Sequence, residues 1–439
     1  MKQIILILII ITSVVSAQGF DTAKLDEFFE RLEQNQQAMG SISIFQNGTE
    51  VYHKAIGFSD LEAGTKANQN TKYRIGSISK TFTATIIMQL IEEGKLSLNT
   101  KLSEYYPEIP NSQKITIAQL LKHRSGIYNF TDSSSYQSWM EQAISKKDLV
   151  AKISSHKSIF EPDSTAKYSN SNYVLLSFIA EDIEHKSFAE LLKARIQKPC
   201  KLQNTYYGGK INTKNNEALS YFKLVDWEIA TETDMSVPAG AGAVVSSPTD
   251  LNIFLNCLFS YKLISKESLD KMSEIQEGFG FGMGLFEASF DDKKALGHGG
   301  GIDGFQSMAF YFPEEKLTIS YIANGVVYPV NDITKGVLSI YFNQDFELPN
   351  FKPQIVLSSE DLDKYLGVYA GPSLPLKIAI TKEDNQLIAQ ATGQPSFPLT
   401  AAGNNTFVFG MANIEMVFLP TENKMIFKQA GAEFELERE

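Results

Sequence analysis

Cysteine is scarce: Cys200 and Cys257 are the two in 439 residues. That excludes a disulfide-dense scaffold and any cysteine-built metal cluster. The two can bridge in an oxidising compartment. Cys257, however, lies in the apolar run "DLNIFLNCLFS", where a thiol packs as a small hydrophobe, so two core thiols are expected. Histidine is also sparse. His53, His123, His156, His185 and His298 show no H-x-x-x-H spacing, which removes the usual helical zinc signature. Basic residues are outnumbered, 40 Lys and Arg against 51 Asp and Glu, for a formal net charge of −11. Nucleic acid and anionic lipid surfaces are therefore not expected as partners, since both demand a basic face. The sequence contains no internal repeat, no low-complexity tract and no G-x-S-x-G elbow of an α/β-hydrolase.

Long apolar runs are missing too, with one short exception. "IILILIII", Ile4 to Ile11, follows Lys2, the only charged side chain before Asp21. It is too short to span a bilayer, which takes ~20 residues. Val15-Ser16-Ala17 supplies small residues suited to signal peptidase. A cleaved signal peptide over residues 1–17 is expected, placing the mature chain in the periplasm or medium; the alternative is an uncleaved anchor. No further stretch of spanning length follows, so no stable membrane span is expected after signal removal.

What is present has the ordinary balance of a globular protein, 43% hydrophobic and 21% charged. Asp21 to Gln36 reads as an amphipathic helix with Leu25, Phe28, Phe29 and Leu32 on one face. Alternating Ile42, Ile44, Val51 and Tyr52 around Asn47-Gly48 predict a β-hairpin. Apolar spacing predicts helices from Ser79 to Glu93, over "YVLLSFIAEDIEH" and over "PTDLNIFLNCLF". From Gly278 on, "GFGFGMGLFEASF", "FQSMAFYFPEE" and "KLTISYIANG" read as successive strands, with "DITKGVLSIYF" as a closing helix. The element order implies an α+β unit over 18–345, with an antiparallel sheet drawn from both ends of that unit. A Pro-containing linker is expected over 346–357. Short strands and Asn-rich turns over 358–439 then predict a small antiparallel β-domain, a barrel or half-barrel.

The chemistry centres on "YRIGSISKTFTATIIMQLIEEG", Tyr73 to Gly94. Ser77 and Lys80 stand three apart on one helix face. A helix start favours developing negative charge, and a buried lysine loses its preference for the charged form and can accept the serine proton. The pattern alone is weak, because Ser154/Lys157, Ser164/Lys167, Ser220/Lys223 and Ser268/Lys271 repeat it. A serine cap beside a solvated lysine accounts for this stretch equally well. "YSNSNY" offers Tyr168 as a phenolic base and Asn170 as an orienting amide, or simply a turn. "GHGGGIDGFQS" contains His298 and glycines that permit close backbone approach. Gly299, Gly301 and Gly304 spell G-x-G-x-x-G, but a strand pattern follows where a dinucleotide site requires a helix.

Ser77-x-x-Lys80, Tyr168-Ser169-Asn170 and His298-Gly299-Gly300, in that order, resemble the three motifs of the serine β-lactamase/penicillin-binding-protein superfamily. The class C β-lactamase-like branch, with its esterases and D-amino-acid peptidases, is the most similar. "LLKHRSGIYNF", "PAGAGAVVSSPTDLNIFL" and "GFGFGMGL" look like further segments of that branch. The resemblance runs over about residues 21–345. It implies a β-lactamase/transpeptidase-like α+β fold, followed here by a β-domain similar to the lipocalin-like tails of some relatives. It implies Ser77 as acylated nucleophile, Lys80 as proton acceptor, and Tyr168 as base or relay whose anion a protonated Lys80 would favour. It further implies Asn170, His298, Gly299 and Gly300 as substrate-binding residues, and an oxyanion hole from the backbone N–H groups of Ser77 and Gly301. No metal or cofactor is implied. Three residues depart from the pattern: His298 stands where antibiotic-hydrolysing members carry Lys, Arg124 replaces Thr, and Asp163 replaces Gly. The expected function is a secreted serine hydrolase acting on an amide or ester, with D-amino-acid peptides or esters as candidates. A β-lactamase, a D-alanyl-D-alanine carboxypeptidase and a non-catalytic penicillin or peptide binder are the alternatives.

Overall fold

The computed structural model describes residues 19–223, 226–351, 357–409, 412, 414–429 and 431–439. The expected signal segment lies outside them. Helix α1 (Thr22–Gln34) starts where Asp21 caps it by accepting the Lys24 N–H, and it buries the four apolar residues expected of it. Strands β1 (Ala38–Gln46) and β2 (Thr49–Ile56) then pair about Asn47-Gly48, both at positive φ. Two left-handed residues are what a tight hairpin turn needs, and Asn-Gly supplies them at low strain.

Further along come β3 (Tyr73–Arg74), α2 (Ser79–Glu92), α3 (Asn170–Glu184), β4 (Tyr206–Tyr207), β5 (Val244–Ser246) and α4 (Pro248–Phe259). They are followed by β6 (Phe286–Phe290), β7 (Lys293–Ile302), β8 (Phe305–Phe312), β9 (Leu317–Val326) and α5 (Val330–Tyr341). The main sheet has the order β6-β7-β8-β9-β1-β2, so chain ends distant in sequence meet at the β9–β1 pair. One face is covered by α1 and α5 around Phe28, Phe29, Tyr321 and Val337. The other carries the larger core, in which α2, α3 and α4 pack and Phe82 stacks on Phe254 with centroids 3.7 Å apart. A small sheet in the order β3-β5-β4 braces the start of α2.

One expectation changes. "GFGFGMGL" is not a strand: Gly278, Gly280 and Gly284 all adopt positive φ, and regular pairing begins only at Phe286. The glycine-rich "GHGGG", whose pattern predicts no element, lies in strand β7 and pairs with β8 throughout, with His298 opposite Ala309 and Gly300 opposite Ser307. Glycine's low strand propensity hides this strand from a sequence reading.

The C-terminal residues form a closed eight-stranded antiparallel barrel from Gly367–Gly371 to Ala432–Arg438, with its own core around Tyr369, Leu387, Met416 and Met425. Left-handed Asp384, Asn404, Asn405 and Asn423 make its turns, as the Asn-rich stretches predict. The stretch read as a linker begins packed: Phe346 lies 5.5 Å from Phe28 in the sheet–helix core. Residues 352–356 of that stretch lie outside the described residues. Cys200 and Cys257 are buried, unbridged thiols. Among the described residues no helix is long and apolar enough to cross a membrane.

Candidate active site

Ser77 sits in a 3₁₀ turn, Gly76–Ile78, that runs directly into α2. Gly76 has φ +50°, and a Cβ there would lie 2.8 Å from the Gly301 backbone nitrogen, so glycine is required twice over. The first three turns of α2 are buried on every side, from Ser79 to Met88. A helix buried all round must satisfy its polar side chains internally. Thr81 Oγ1 donates to the Gly284 carbonyl at 2.7 Å, Thr83 Oγ1 donates to the Gly240 carbonyl at 2.7 Å, and Ser79 Oγ accepts the Val244 N–H at 3.0 Å.

Lys80 is therefore cut off from water, at 0% exposure. Of the five S-x-x-K lysines it alone is buried; Lys157, Lys167 and Lys271 are exposed and Lys223 is half-buried. Its Nζ meets three atoms: Ser77 Oγ at 2.9 Å, Asn170 Oδ1 at 2.8 Å and the Ala241 carbonyl at 2.7 Å. Burial holds its pKa well below the ordinary 10.5. A neutral amine has two hydrogens and one lone pair. Two of its three partners are carbonyl oxygens that can only accept, so both hydrogens go to them and the lone pair is left for the Ser77 hydroxyl.

Tyr168 faces Ser77, and the centre of its ring lies 4.9 Å from Lys80 Nζ. Burial raises the pKa of its hydroxyl, and the Ser77 contact offsets this only in part. Burial acts against both members of a tyrosinate–ammonium pair, raising the Tyr168 pKa and lowering that of Lys80. Asn170 opens α3. Its Oδ1 is taken by Lys80, its Nδ2 donates to Thr131 Oγ1 at 3.1 Å, and its backbone N–H donates to Asn129 Oδ1 at 2.9 Å.

The glycines of β7 are not equivalent. A Cβ on Gly300 would lie 2.1 Å from the Ile75 carbonyl and 3.0 Å from the Ser77 nitrogen, whereas one on Gly299 would meet nothing nearer than 3.6 Å. Gly300 thus lets the strand approach the nucleophile turn, and the same approach brings Gly301 beside Gly76.

The structure gathers Ser77, Lys80, Tyr168, Asn170 and the His298–Gly301 strand into one place. The sequence reading missed His123, Asn129, Thr131 and the Ala241 carbonyl, although the segments "LLKHRSGIYNF" and "PAGAGAVVSS" contain all but Thr131. His123 is buried, at φ +54°, with its ring 4.4 Å from that of Tyr168. Its Nδ1 accepts the Ser169 N–H at 3.1 Å, which assigns the proton of the neutral ring to Nε2.

A family model described as Beta-lactamase matches residues 25–338. The chain belongs to the beta-lactamase family. It is 25% identical to Penicillin-binding protein 4* of Bacillus subtilis, in a match covering 94% of this chain and 98% of that protein. It is 29% identical to a teichoic acid D-alanine hydrolase of Staphylococcus aureus over 54% of this chain and 58% of the relative. In fold it is similar to the D-amino acid amidase from Ochrobactrum anthropi SV3, with a TM-score of 0.66 and 24% identity over 73% of this chain and 99% of that one. The homologues of this beta-lactamase family member are serine hydrolases.

Two of the three departures from the family pattern explain each other. Arg124 Nε donates to Asp163 Oδ1 at 2.5 Å, Arg124 Nη2 donates to the Asp163 carbonyl, and the Asp163 N–H donates to the Arg124 carbonyl at 2.8 Å. Asp163 has a left-handed backbone, φ +71°, a conformation that glycine adopts without strain. The pair is half open to solvent and closes the loop leading to Tyr168.

The third departure, His298, is 4% exposed, and its ring lies 4.6 Å from that of Phe286 in an edge-on contact. Its Nδ1 meets the Gly299 carbonyl, so the neutral ring carries its proton on that nitrogen. Burial, then the neighbouring Lys80, push its pKa down to about 3. Between about pH 3 and 6.5 the unfolded chain binds a proton on His298 that the folded chain does not. Stability gained from this group therefore rises with pH over that window and is lost as pH falls. We expect His298→Gln to flatten the pH dependence of the urea midpoint between pH 4 and 6.5. An unchanged slope would show that His298 titrates normally in the fold.

Proposed function

We propose that this protein is a secreted serine hydrolase that forms an acyl-enzyme on Ser77 from an amide or ester, with D-aminoacyl compounds as its substrate class. The observation that carries the reading is the buried Lys80, whose Nζ lies within hydrogen-bond distance of Ser77 Oγ, Asn170 Oδ1 and the Ala241 carbonyl, so that in its neutral form the two carbonyl oxygens take its hydrogens and its lone pair is left for the Ser77 proton. Ser77 Oγ attacks the substrate carbonyl carbon and its proton passes to Lys80 Nζ. The carbonyl oxygen, now negative, takes hydrogen bonds from the Ser77 and Gly301 backbone N–H groups. Collapse expels the amine or alcohol; the Tyr168 hydroxyl gives its proton to the leaving group and takes one back from the Lys80 ammonium, so that both are neutral again. Water then repeats the sequence on the ester, with Lys80 again accepting a proton.

The D-aminoacyl class is supported by the presence of a D-amino acid amidase and a teichoic acid D-alanine hydrolase among the similar proteins. Neutral, buried His298 weighs against β-lactams and carboxypeptidase substrates, whose carboxylate would find no cation there. The residue 1–17 segment supports export; N-terminal sequencing of the exported protein should begin near residue 18.

The test is covalent labelling. Incubation with a fluorophosphonate is expected to add one adduct mass, mapped to the peptide bearing Ser77 and lost in Ser77→Ala. No adduct, together with no turnover of D-alanyl esters or amides, overturns the reading. Rapid hydrolysis of a chromogenic cephalosporin would replace the substrate class with β-lactams.

A further inference from the structure

Three residues before Ser77, on β3, lies an arginine that the proposed chemistry does not use. Arg74 is 2% exposed and Asp303, two residues after Gly301, is 1% exposed. Arg74 Nη1 donates to Asp303 Oδ2 at 2.8 Å and to the Thr233 carbonyl at 2.8 Å, while Nη2 donates to the Gly209 carbonyl at 3.0 Å and to Glu232 Oε1 at 2.7 Å. Asp303 Oδ1 accepts the Thr233 N–H at 3.0 Å and the Thr233 hydroxyl at 2.7 Å. Asp303 is the left-handed first residue of the two-residue turn joining β7 to β8, with φ +53°. A second tie runs parallel to this one, as Ser307 Oγ donates to the Ile75 carbonyl at 2.9 Å.

An oxyanion hole made of two backbone N–H groups works only if their separation is fixed before the reaction. Here the two groups belong to different segments. One is on the turn after β3, and the other is near the end of β7. Nothing in the local backbone of either segment sets the distance between them. The Arg74–Asp303 pair joins these two segments directly, within three residues of each donor. A planar guanidinium held by four acceptors cannot slide or rotate without breaking several charge-assisted bonds.

Resting on the acyl-enzyme reading above, we propose that Arg74 and Asp303 are positioning residues of the oxyanion hole, setting the gap between the Ser77 and Gly301 N–H groups, with Ser307 as a weaker second tie.

The competing role, a buried ion pair that only holds the fold, is separable by substrate chemistry. Thiocarbonyl sulfur is a poor hydrogen-bond acceptor, so a thionoester gains less from the two donors than its oxygen ester does. The kcat/KM ratio of ester to thionoester reports the donors, and the fraction of folded enzyme cancels from it. We expect Asp303→Asn to lower kcat for a D-alanyl ester with KM within a few-fold, and to lower the ester-to-thionoester ratio by roughly ten-fold, part of the ~10²–10³ that a whole donor supplies. Ser307→Ala, a milder change to use if Asp303→Asn folds poorly, is expected to shift the ratio in the same direction by a few-fold. If both rates fall together and the ratio stays at the wild-type value in both variants, the pair serves the fold alone and the inference is overturned. A wild-type protein that neither labels nor turns over esters overturns the parent reading instead, and the positioning role falls with it.

Discussion

Lys80→Met is expected to slow turnover of a reactive D-alanyl ester by on the order of 10³-fold with the fold retained, the middle of the range for loss of a positioned proton acceptor. Methionine fills the volume of the lysine stem but has no lone pair basic enough to take the Ser77 proton. Two effects on stability oppose each other. The Asn170 Oδ1 and Ala241 carbonyl acceptors lose their donor, at about 1–3 kcal/mol each. Against that, an amine whose charged form is disfavoured by burial is gone. The pH dependence separates the two effects. From its depressed folded pKa up to the ordinary 10.5, Lys80 holds a proton in the unfolded chain that the folded chain lacks, so wild-type stability gains from rising pH across that window. The difference in urea midpoint between wild type and Lys80→Met should therefore change steadily as pH rises towards 10. Activity retained within ten-fold would remove Lys80 from the chemistry and leave Tyr168 as the base.

Gly300→Ala is expected to lower kcat/KM by about 10²–10³, as if one oxyanion donor had been removed. The new methyl would lie 2.1 Å from the Ile75 carbonyl, 2.6 Å from Ser307 Oγ and 3.0 Å from the Ser77 nitrogen. The Ile75 carbonyl cannot simply turn aside, because it accepts Ser307 Oγ and its own residue's N–H donates to the Val244 carbonyl at 3.1 Å. Strand β7 must then move off the nucleophile turn, carrying the Gly301 N–H with it, and the overpacking itself costs about 1–3 kcal/mol of stability. Gly299→Ala, whose methyl would meet only the Ser307 carbonyl at 3.6 Å, should be far milder. Equal losses in the two variants, measured on folded protein, would show that glycine matters here for a reason other than close approach.

Much of this site is written locally. The Asn47-Gly48 hairpin, the capped helix after Asp21 and the helix after Ser79 follow from short-range rules, and the structure shows each of them. The barrel turns follow from Asn and Asp residues that tolerate left-handed backbone. Strand β7 did not show itself, because glycines have no side-chain pattern to alternate. Its identity rests on pairing with β8 and on contact with the turn at Ser77. Arg124 and Asp163 read separately as two deviations. That they form one compensating pair depends on two loops 39 residues apart in sequence being adjacent in space.

The order of residues alone dictates which groups are available and in what succession, from Ser77 and Lys80 through Tyr168 and Asn170 to His298 and its glycines. It determined the elements that carry most of them, since helix, hairpin and turn formation depend on neighbours within a few residues. Their burial, and with it the direction in which each pKa moves, comes from the packed fold. Lys80 spells the same motif as four other lysines, yet it alone is buried, among Ser77, Asn170, Ala241 and the rings of Tyr168 and Tyr173. His298 is likewise an ordinary imidazole until Phe286 and the strand around it exclude water. Desolvation belongs to everything packed around a group rather than to the group, and the packing partners here come from more than two hundred residues of chain. For that reason the charge states that distinguish a nucleophile from a capped serine, and a neutral acceptor from a cation, were settled only when the chain closed on itself.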